Sequence, residues 1–355
     1  MNALLAEVAA GRRMSEEELA RLYREADLLE LGQAANRVRE RLHPGRPVTF
    51  IIDRNINYTN ICSCRCRFCA FYREEGADDA YVLSERELHT KIEEALALGA
   101  TQVMIQGGLH PALDITWFEA MFRGIKQRYP VTVHSLTAPE VAHIARLSGL
   151  TTRQALERLA AAGLDSLPGG GAEILHDEVR GRVSPAKLAS QEWLRVMEEA
   201  HSLGLPTTAT MVLGLGEGLE HRIAHLRAIR ALQDRSGGFR AFIMWTYQPG
   251  NNELRGAPVS SAQYLRMLAL ARLYLDNVPH VQGSWVTQGP QVGQLSLWFG
   301  ADDLGSIMIE ENVVRAAGVA YRMSLEEMVG LIRAAGKVPA QRDTAYRLLR
   351  VFTED

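Results

Sequence analysis

Cysteine is almost absent from this sequence, since its 355 residues contain only four and all of them lie between positions 62 and 69. A disulfide framework normally spreads its cysteines so that they close long loops, so this clustering argues against one. Lysine is equally scarce, and the arginines are scattered without forming a basic run. Because the formal charge is also −3, the chain has no general attraction for phosphate polymers, and we expect no nucleic-acid partner.

Long apolar runs are missing as well. No stretch approaches the roughly 18 apolar residues that a membrane-spanning helix needs. Residues 1–10 lack the basic segment that opens a secretory signal, and Glu7 interrupts their apolar character. We therefore expect a cytoplasmic protein without membrane insertion.

The central part of the sequence alternates short β-rich stretches with longer helical ones. Helices between strands make βαβ units, and such units form parallel sheets. Six clear repeats and two weaker ones favour an α/β fold of the (β/α) TIM-barrel type, of roughly 250 residues, over a doubly wound open sheet. The predicted strands cover residues 48–56, 101–105, 131–134, 164–167, 207–213, 239–245, 281–286 and 306–309.

Helical segments are predicted on both sides of this barrel. Ser15 and Glu18 have the spacing of a helix-capping box, and the Pro-rich break at 43–47 ends the first segment. Helices predicted over 325–335 and 341–349 close the chain. The sequence thus divides into an N-terminal helical extension (1–45), a barrel (46–310) and a C-terminal helical extension packed on it (311–355).

The cysteine cluster follows the first predicted strand, which places it on a loop at the C-terminal end of that strand. Cys62, Cys66 and Cys69 have the spacing C-x3-C-x2-C, and three thiolates on a short loop can bind three corners of a [4Fe–4S] cluster. The fourth iron would then lack a protein ligand and could coordinate a substrate. Cys64 is the spare thiol, and we expect it to point away from the cluster.

Other uses of these thiols stay open beside the cluster. A zinc site could use all four cysteines, but zinc modules usually supply two pairs separated by a dozen or more residues. A catalytic dithiol would be a lone C-x-x-C beside a thioredoxin-like pattern. A non-enzymatic iron–sulfur or zinc module that binds another macromolecule is the alternative of a different class.

The cysteine motif, with Phe68 before its last cysteine, resembles the signature of the radical S-adenosylmethionine (SAM) superfamily. Its surroundings resemble the branch that contains the menaquinone and deazaflavin enzymes, and within it the cyclic dehypoxanthinylfutalosine synthase family. One departure is the turn 214–217, which lacks the histidine of the family's Gly-His-x-Glu. The segments that carry the resemblance are 53–62, 69–73, 106–111, 167–174, 245–250 and 310–314.

The resemblance implies an oxidoreductase in which a [4Fe–4S] cluster cleaves SAM and a 5′-deoxyadenosyl radical forms. The radical would take hydrogen from the ribose C4′ of dehypoxanthine futalosine, and the new carbon radical would add to the benzoate ring in a step of menaquinone biosynthesis. A low-potential carrier such as flavodoxin or ferredoxin would supply the electron. Aminofutalosine synthase and the deazaflavin-forming (FO) synthase are alternatives within the same branch.

The resemblance also implies contacts to SAM. Glu173 could accept hydrogen bonds from the ribose hydroxyls, and Arg182 could bind the carboxylate as a fork donor. Glycines after the second strand allow close backbone approach, where a carbonyl could accept from the SAM amino group. The implied cofactor contacts are Phe68, Gln106, Gly107, Gly108, Glu173, Arg182 and Leu213.

The sequence does not identify the base that would remove the last proton. His110 and His134 follow predicted strands and therefore face the active end of the barrel, where each is a candidate catalytic residue. Thr246 and Gln248 follow the sixth strand and are candidate polar contacts for the substrate. A packed or surface position is the plain alternative for each histidine.

Overall fold

The computed structural model of the chain describes residues 1–319 and 321–353. The chain begins with three helices, α1 (Asn2–Ala9), α2 (Glu16–Glu25) and α3 (Leu28–Leu42). Helix α2 starts at the predicted capping box, because the Ser15 hydroxyl accepts from the Glu18 amide and the Glu18 carboxylate accepts from the Ser15 amide. The predicted N-terminal helical segment is therefore confirmed.

Strands and helices alternate after these three helices. The strands are β1 (Val48–Ile51), β2 (Asp53–Ile56), β3 (Gln102–Ile105), β4 (Thr132–Ser135), β5 (Thr207–Leu213), β6 (Phe239–Thr246), β7 (His280–Gln282), β8 (Asp303–Ser306), β9 (Pro339–Arg342) and β10 (Leu348–Val351). The further helices are α4 (Glu85–Ala97), α5 (Ile115–Arg128), α6 (Ala138–Leu147), α7 (Thr152–Ala162), α8 (Asp177–Val183), α9 (Ser190–Ser202), α10 (Leu219–Ser236), α11 (Ser261–Tyr274), α12 (Trp285–Gln288), α13 (Pro290–Ser296), α14 (Val313–Ala316) and α15 (Leu325–Ala334). Helix α3 packs on α11, so the N-terminal helices lie against the outer helical layer.

Parallel pairing closes the strands into a barrel. Strands β1 and β2 are two halves of one strand interrupted at Ile52, and β1 pairs with β8 whereas β2 pairs with β3. Strand β3 pairs with β4, and bridges at Ser166 and Leu167 continue the sheet to β5, from which β6, β7 and β8 follow in order. The predicted TIM-type barrel is confirmed, with its fourth strand reduced to these two bridges.

The C-terminal segment differs from its prediction. Helix α15 lies where a helix is predicted, but the helix predicted over 341–349 is wrong, because β9 and β10 form an antiparallel hairpin there. Strand β9 also pairs in parallel with β1, below the point where that strand is interrupted. Residues 320, 354 and 355 of the predicted extension lie outside the described residues.

The strand predicted over 306–309 lies three residues earlier, as β8. The strand predicted over 281–286 is shorter, because α12 begins at Trp285. Across residues 1–319 and 321–353, no helix combines the length and apolar character that spanning a membrane requires. The C-terminal ends of the barrel strands, called the top below, carry the loops that form the candidate site.

Candidate active site

The cysteine loop leaves the top of the barrel after β2, as predicted. Its two ends are tied together, because the Cys62 amide donates to the Arg73 carbonyl (3.1 Å) and the Arg73 amide donates to the Asn60 carbonyl (2.8 Å). Within the loop the Cys69 amide donates to the Cys66 carbonyl (3.0 Å). The loop is therefore a closed, hydrogen-bonded unit that presents its thiols from one short segment.

All four cysteines are free thiols and line one cavity of about 200 Å³. The sulfurs of Cys64 and Cys66 are 3.6 Å apart. The expectation that Cys64 points away is therefore wrong. This residue stands between the cysteine cavity and a groove on the protein surface.

The thiols differ in acidity. The hydrogen bond between the Cys66 and Cys64 thiols, together with the nearby Lys187 ammonium, lowers the pKa of Cys66 to about 7. Burial raises the pKa of Cys69 to about 11, although the backbone amides of Phe71 and Tyr72 favour its thiolate. A buried thiolate is costly unless a cation shares its charge, so thiols converging on one cavity fit an iron–sulfur cluster.

The loop after β3 packs directly on the cysteine loop. A Cβ atom on Gly108 would lie 2.1 Å from the Ile61 carbonyl oxygen, and one on Gly107 would lie 2.9 Å from the Thr59 carbonyl oxygen. The Gly108 amide also donates to this Thr59 carbonyl (3.0 Å). The glycines are needed for this approach between two backbones, and with Gln106 they also line the cysteine cavity.

Glu173 faces the cysteine cavity from the loop after the fourth strand position, with its backbone in the left-handed region (φ 40°). Its Oε1 accepts from Lys187 Nζ (3.0 Å). Its buried Oε2 has no hydrogen-bond donor among the described residues, and the Arg180 guanidinium lies 3.6 Å away. An unsatisfied buried carboxylate oxygen is the acceptor that a bound hydroxyl or amine would fill.

Lys187 is a site residue that the sequence reasoning missed. Burial opposes its charge, but the Cys66 and Glu173 charges outweigh that effect and raise the pKa of Lys187. Its ammonium also lies 5.3 Å from the centre of the Phe68 ring. The one available signal is its residue type, because lysine is rare in this arginine-rich chain.

A second cavity, of about 260 Å³, lies in the barrel lumen beneath the cysteine loop. Met104, Val212 and Ile243 give it apolar walls. Trp245 also lines it, and the buried indole Nε1 of this residue has no acceptor within the described ranges. The two cavities adjoin each other. They share the lining residues Phe68, Cys69, Gln106, Gly170, Gly171, Glu173 and Val313.

Thr246 and Gln248 are brought together on this lumen cavity. Gln248 Nε2 donates to the Thr246 carbonyl (3.0 Å) and to the Thr287 carbonyl (3.2 Å), while Gln288 Nε2 donates to Thr246 Oγ1 (2.7 Å). The network fixes both side chains, so their remaining polar atoms are held in place for a ligand.

The two candidate histidines have different surroundings. His134 lines the lumen cavity, and its Nδ1 lies 2.7 Å from Ser166 Oγ and 3.1 Å from Arg240 Nη2. Burial and the Arg240 charge lower the pKa of His134 far below its usual range, so the ring is neutral. His110 lines neither cavity, and its Nδ1 accepts from the Ala112 amide (3.1 Å).

Two of the implied cofactor contacts are not brought to either cavity. Arg182 is exposed, and its Nη2 donates to the carbonyls of Gly216 (2.8 Å) and Leu215 (3.4 Å). Leu213 is fully buried in the core, whereas its neighbour Val212 lines the lumen. Successive side chains of a strand point to opposite faces, so only one of these two strand residues can face the lumen.

Comparison with known proteins identifies the family. Residues 56–229 match the radical SAM superfamily, and residues 236–354 match the CofH/MqnC C-terminal region. The chain is 49% identical to cyclic dehypoxanthine futalosine synthase of Streptomyces coelicolor, across 99% of this chain and 89% of that protein. It is 43% identical to the protein of the same name from Halalkalibacterium halodurans, across 100% of this chain and 96% of that one.

A solved structure supports the fold independently. Methylornithine synthase (PylB) superposes with a TM-score of 0.76 over 95% of this chain and 97% of that one, at 18% sequence identity. At this identity the likeness concerns the barrel fold alone. On the full-length sequence matches, the chain belongs to the radical SAM superfamily, in the family of the cyclic dehypoxanthine futalosine synthases.

Proposed function

We propose that this chain is a radical SAM cyclase that converts dehypoxanthine futalosine to cyclic dehypoxanthine futalosine in menaquinone biosynthesis. The observation that carries the proposal is that the cavity lined by Cys62, Cys66 and Cys69 adjoins the cavity in the barrel lumen, with Cys69 and Glu173 in the walls of both. A SAM molecule bound at these cysteines would lie next to a substrate in the lumen. The 49% identity to a protein of this name supports the choice of substrate.

Cys62, Cys66 and Cys69 would hold the [4Fe–4S] cluster and leave one iron open for SAM. When bound, the cluster supplies the electron that cleaves SAM to methionine and a 5′-deoxyadenosyl radical. Glu173 Oε2, which lacks a partner in the described part of the chain, would accept from the SAM ribose hydroxyls. Lys187 would bind the SAM carboxylate in place of Arg182, because Lys187 lines the cysteine cavity and Arg182 does not.

The lumen would position the substrate and protect the reaction. Apolar walls formed by Met104, Val212 and Ile243 suit aromatic and sugar carbon atoms and exclude water. Thr246 and Gln248 would contact the substrate hydroxyls. Tight positioning matters here because a carbon radical attacks any C–H bond within reach. The electron would come from a low-potential carrier such as flavodoxin or ferredoxin.

Product formation by the anaerobic, cluster-loaded enzyme tests this proposal. With SAM, dithionite and dehypoxanthine futalosine, we expect 5′-deoxyadenosine and a product two hydrogens lighter than the substrate. The substrates of aminofutalosine synthase and of the deazaflavin-forming synthase should give no product. Turnover of either rival substrate instead of dehypoxanthine futalosine would transfer the assignment to that reaction.

The cysteine roles are tested separately, with a built-in control. Cys62→Ser, Cys66→Ser and Cys69→Ser should each reduce 5′-deoxyadenosine formation to background, because each removes one cluster ligand. Cys64→Ser should retain activity and iron content. The ligand assignment would be contradicted if a Cys62, Cys66 or Cys69 variant kept its activity while Cys64→Ser lost it.

A further inference from the structure

His134 presents a hydrogen-bond donor to the lumen cavity. A guanidinium can only donate, and Arg240 Nη2 lies 3.1 Å from His134 Nδ1, so Nδ1 is assigned as an acceptor, to which the Ser166 hydroxyl at 2.7 Å also donates. Because the ring is neutral, its single proton is then on Nε2. Nε2 makes no hydrogen bond to any residue of 1–319 or 321–353, and the imidazole lines the cavity. His134 is therefore a donor without an acceptor, and this tautomer cannot act as a base through Nε2.

Arg240 supplies a positive charge behind this donor. It is partly buried at the start of β6, and desolvation lowers its pKa to about 10. No carboxylate in the described residues lies within ion-pair distance of its guanidinium, whose side-chain contacts are His134 and Ser166 Oγ (3.3 Å). A desolvated cation without an acidic partner is costly, and an anion nearby would offset that cost.

Near His134, no acidic side chain of the described residues lines the lumen cavity. Among the described residues that line the cavity, Glu173 is the only acidic one, and it lies at the end shared with the cysteine cavity. The hydroxyls of Thr208 and Thr210 are both engaged with Gly169, through its amide (2.9 Å) and its carbonyl (2.6 Å). The His134 end therefore offers a donor and positive potential, whereas the Glu173 end offers an acceptor.

We propose that His134 Nε2–H, supported by Arg240, forms a subsite for the carboxylate of the substrate's benzoate group. The inference rests on the proposed function, whose substrate carries an aromatic carboxylate at one end and a ribose at the other. The ribose then lies towards the cysteines, and the aromatic ring lies between Met104, Val212 and Ile243. His134 contacts the substrate directly, and Arg240 is a positioning residue that fixes the tautomer and the charge.

A second histidine–arginine pair in the same chain provides a matched control. Arg146 Nη2 contacts His143 Nδ1 at 2.9 Å, as Arg240 contacts His134. In that pair, however, Nε2 donates to the His110 carbonyl (2.8 Å) and lines neither site cavity. Both histidines thus accept a contact from an arginine at Nδ1. The Nε2 donor of His143 has an acceptor within the protein, whereas the Nε2 donor of His134 faces the lumen.

The test compares dehypoxanthine futalosine with its carboxamide, using the anaerobic cluster-loaded enzyme with SAM bound. Calorimetric Kd values and KM values should favour the acid by about 30-fold in the wild type. His134→Phe and Arg240→Met should reduce this preference to about 3-fold or less, mainly because the acid binds more weakly. The effect on kcat should be smaller. Arg240→Lys should retain most of the preference, and the control Arg146→Met should retain all of it.

An unchanged preference for the acid in His134→Phe would overturn the subsite. Thermal unfolding and iron content show whether Arg240→Met folds. If it does not, the preference for the acid is compared between Arg240→Lys and His134→Phe instead. The two proposals fail in different ways. A wild-type enzyme that makes no cyclic product contradicts the function, whereas one that makes it equally well from acid and carboxamide contradicts only the subsite.

Discussion

Glu173 is the side chain whose surroundings most clearly leave room for a ligand group. One carboxylate oxygen is paired with Lys187 at 3.0 Å, and the other is buried without a hydrogen bond in the described ranges. The residue adopts a left-handed backbone conformation, which is strained for an L-residue and common at functional sites. These features support the proposed contact between Glu173 and SAM.

We expect Glu173→Gln to weaken SAM binding about 10-fold or more, because a charge-assisted hydrogen bond is lost. Equilibrium binding of SAM to the anaerobic cluster-loaded protein measures the effect directly. Glu157→Gln is a suitable control, because Glu157 is exposed on α7 and pairs only with Arg153 among the described residues. Unchanged SAM affinity in Glu173→Gln would remove this residue from the pocket.

Arg182 shows why sequence alone could not predict the position of every candidate cofactor contact. Its residue type suits a carboxylate, but its long side chain turns outwards to the carbonyls of Leu215 and Gly216. Those carbonyls belong to a turn shaped by the positive φ angles of Gly214 and Gly216. The direction of a long side chain depends on acceptors that are far away in the sequence. The position of Glu173, in contrast, follows from its place in the loop after the fourth predicted strand.

At the scale of elements, the cysteine loop depends on the loop after β3. Gly108 is the closest point, since a Cβ atom there would lie 2.1 Å from the Ile61 carbonyl oxygen and 2.9 Å from Cys62 Cβ. We expect Gly108→Ala to displace the cysteine loop and to lower iron content after reconstitution, while the barrel stays folded. Iron analysis and circular dichroism measure the two effects separately.

Gly330→Ala is the matched control, because a Cβ atom at Gly330 in α15 meets no described atom within 4 Å apart from its chain neighbours and the backbone of its own helix. Alanine is also favoured over glycine within a helix, by about 1 kcal/mol. The control should therefore keep full iron content and gain slightly in stability. Equal iron content in Gly108→Ala and Gly330→Ala would show that the close approach does not hold the cysteine loop.

Local sequence patterns predicted the elements that local interactions determine. The capping box predicted at Ser15 is formed and begins α2, and boxes of the same kind at Ser84 and Ser260 begin α4 and α11. The helix prediction over 341–349 is wrong because β9 is stabilised by pairing with β1, almost three hundred residues earlier, and β10 by pairing with β9. Such pairing leaves little trace in a local pattern, since β-propensity depends on neighbouring strands.

At the scale of the whole molecule, a buried ion pair links the C-terminal hairpin to the barrel. Arg342 of β9 donates to both oxygens of Asp303 in β8, at 2.6 Å and 2.9 Å. The Thr49 hydroxyl of β1 donates to the same carboxylate (2.6 Å). Asp303 is fully buried, so its charge depends on these partners.

We expect Arg342→Met to lower the free energy of unfolding by about 3–5 kcal/mol, because it leaves the Asp303 carboxylate buried without its cation. Denaturant unfolding followed by circular dichroism measures this. The double variant Arg342→Met, Asp303→Leu should recover much of the loss, because it removes the stranded charge. A loss below about 1 kcal/mol in the single variant would mean that the pair is as weak as an exposed one.

The barrel, the cysteine loop and the glycine-rich loop could be predicted from the sequence, because strand alternation and motif spacing are local. The lumen could not, because it combines residues from β3, β4, β5 and β6. Neither Lys187 nor the contact between His134 and Arg240 has a local signature, since a buried lysine and an arginine without an acidic partner are recognised only from their neighbours. Only the three-dimensional arrangement distinguishes these candidate site residues from core residues.

The central claim is that radical chemistry at Cys62, Cys66 and Cys69 acts on a ribose held in the adjoining lumen. Deuterium transfer tests it most directly, using dehypoxanthine futalosine labelled at the ribose C4′ with the anaerobic cluster-loaded enzyme and SAM. The account predicts one deuterium in 5′-deoxyadenosine, formed together with the cyclic product. Unlabelled 5′-deoxyadenosine accompanying that product would contradict it.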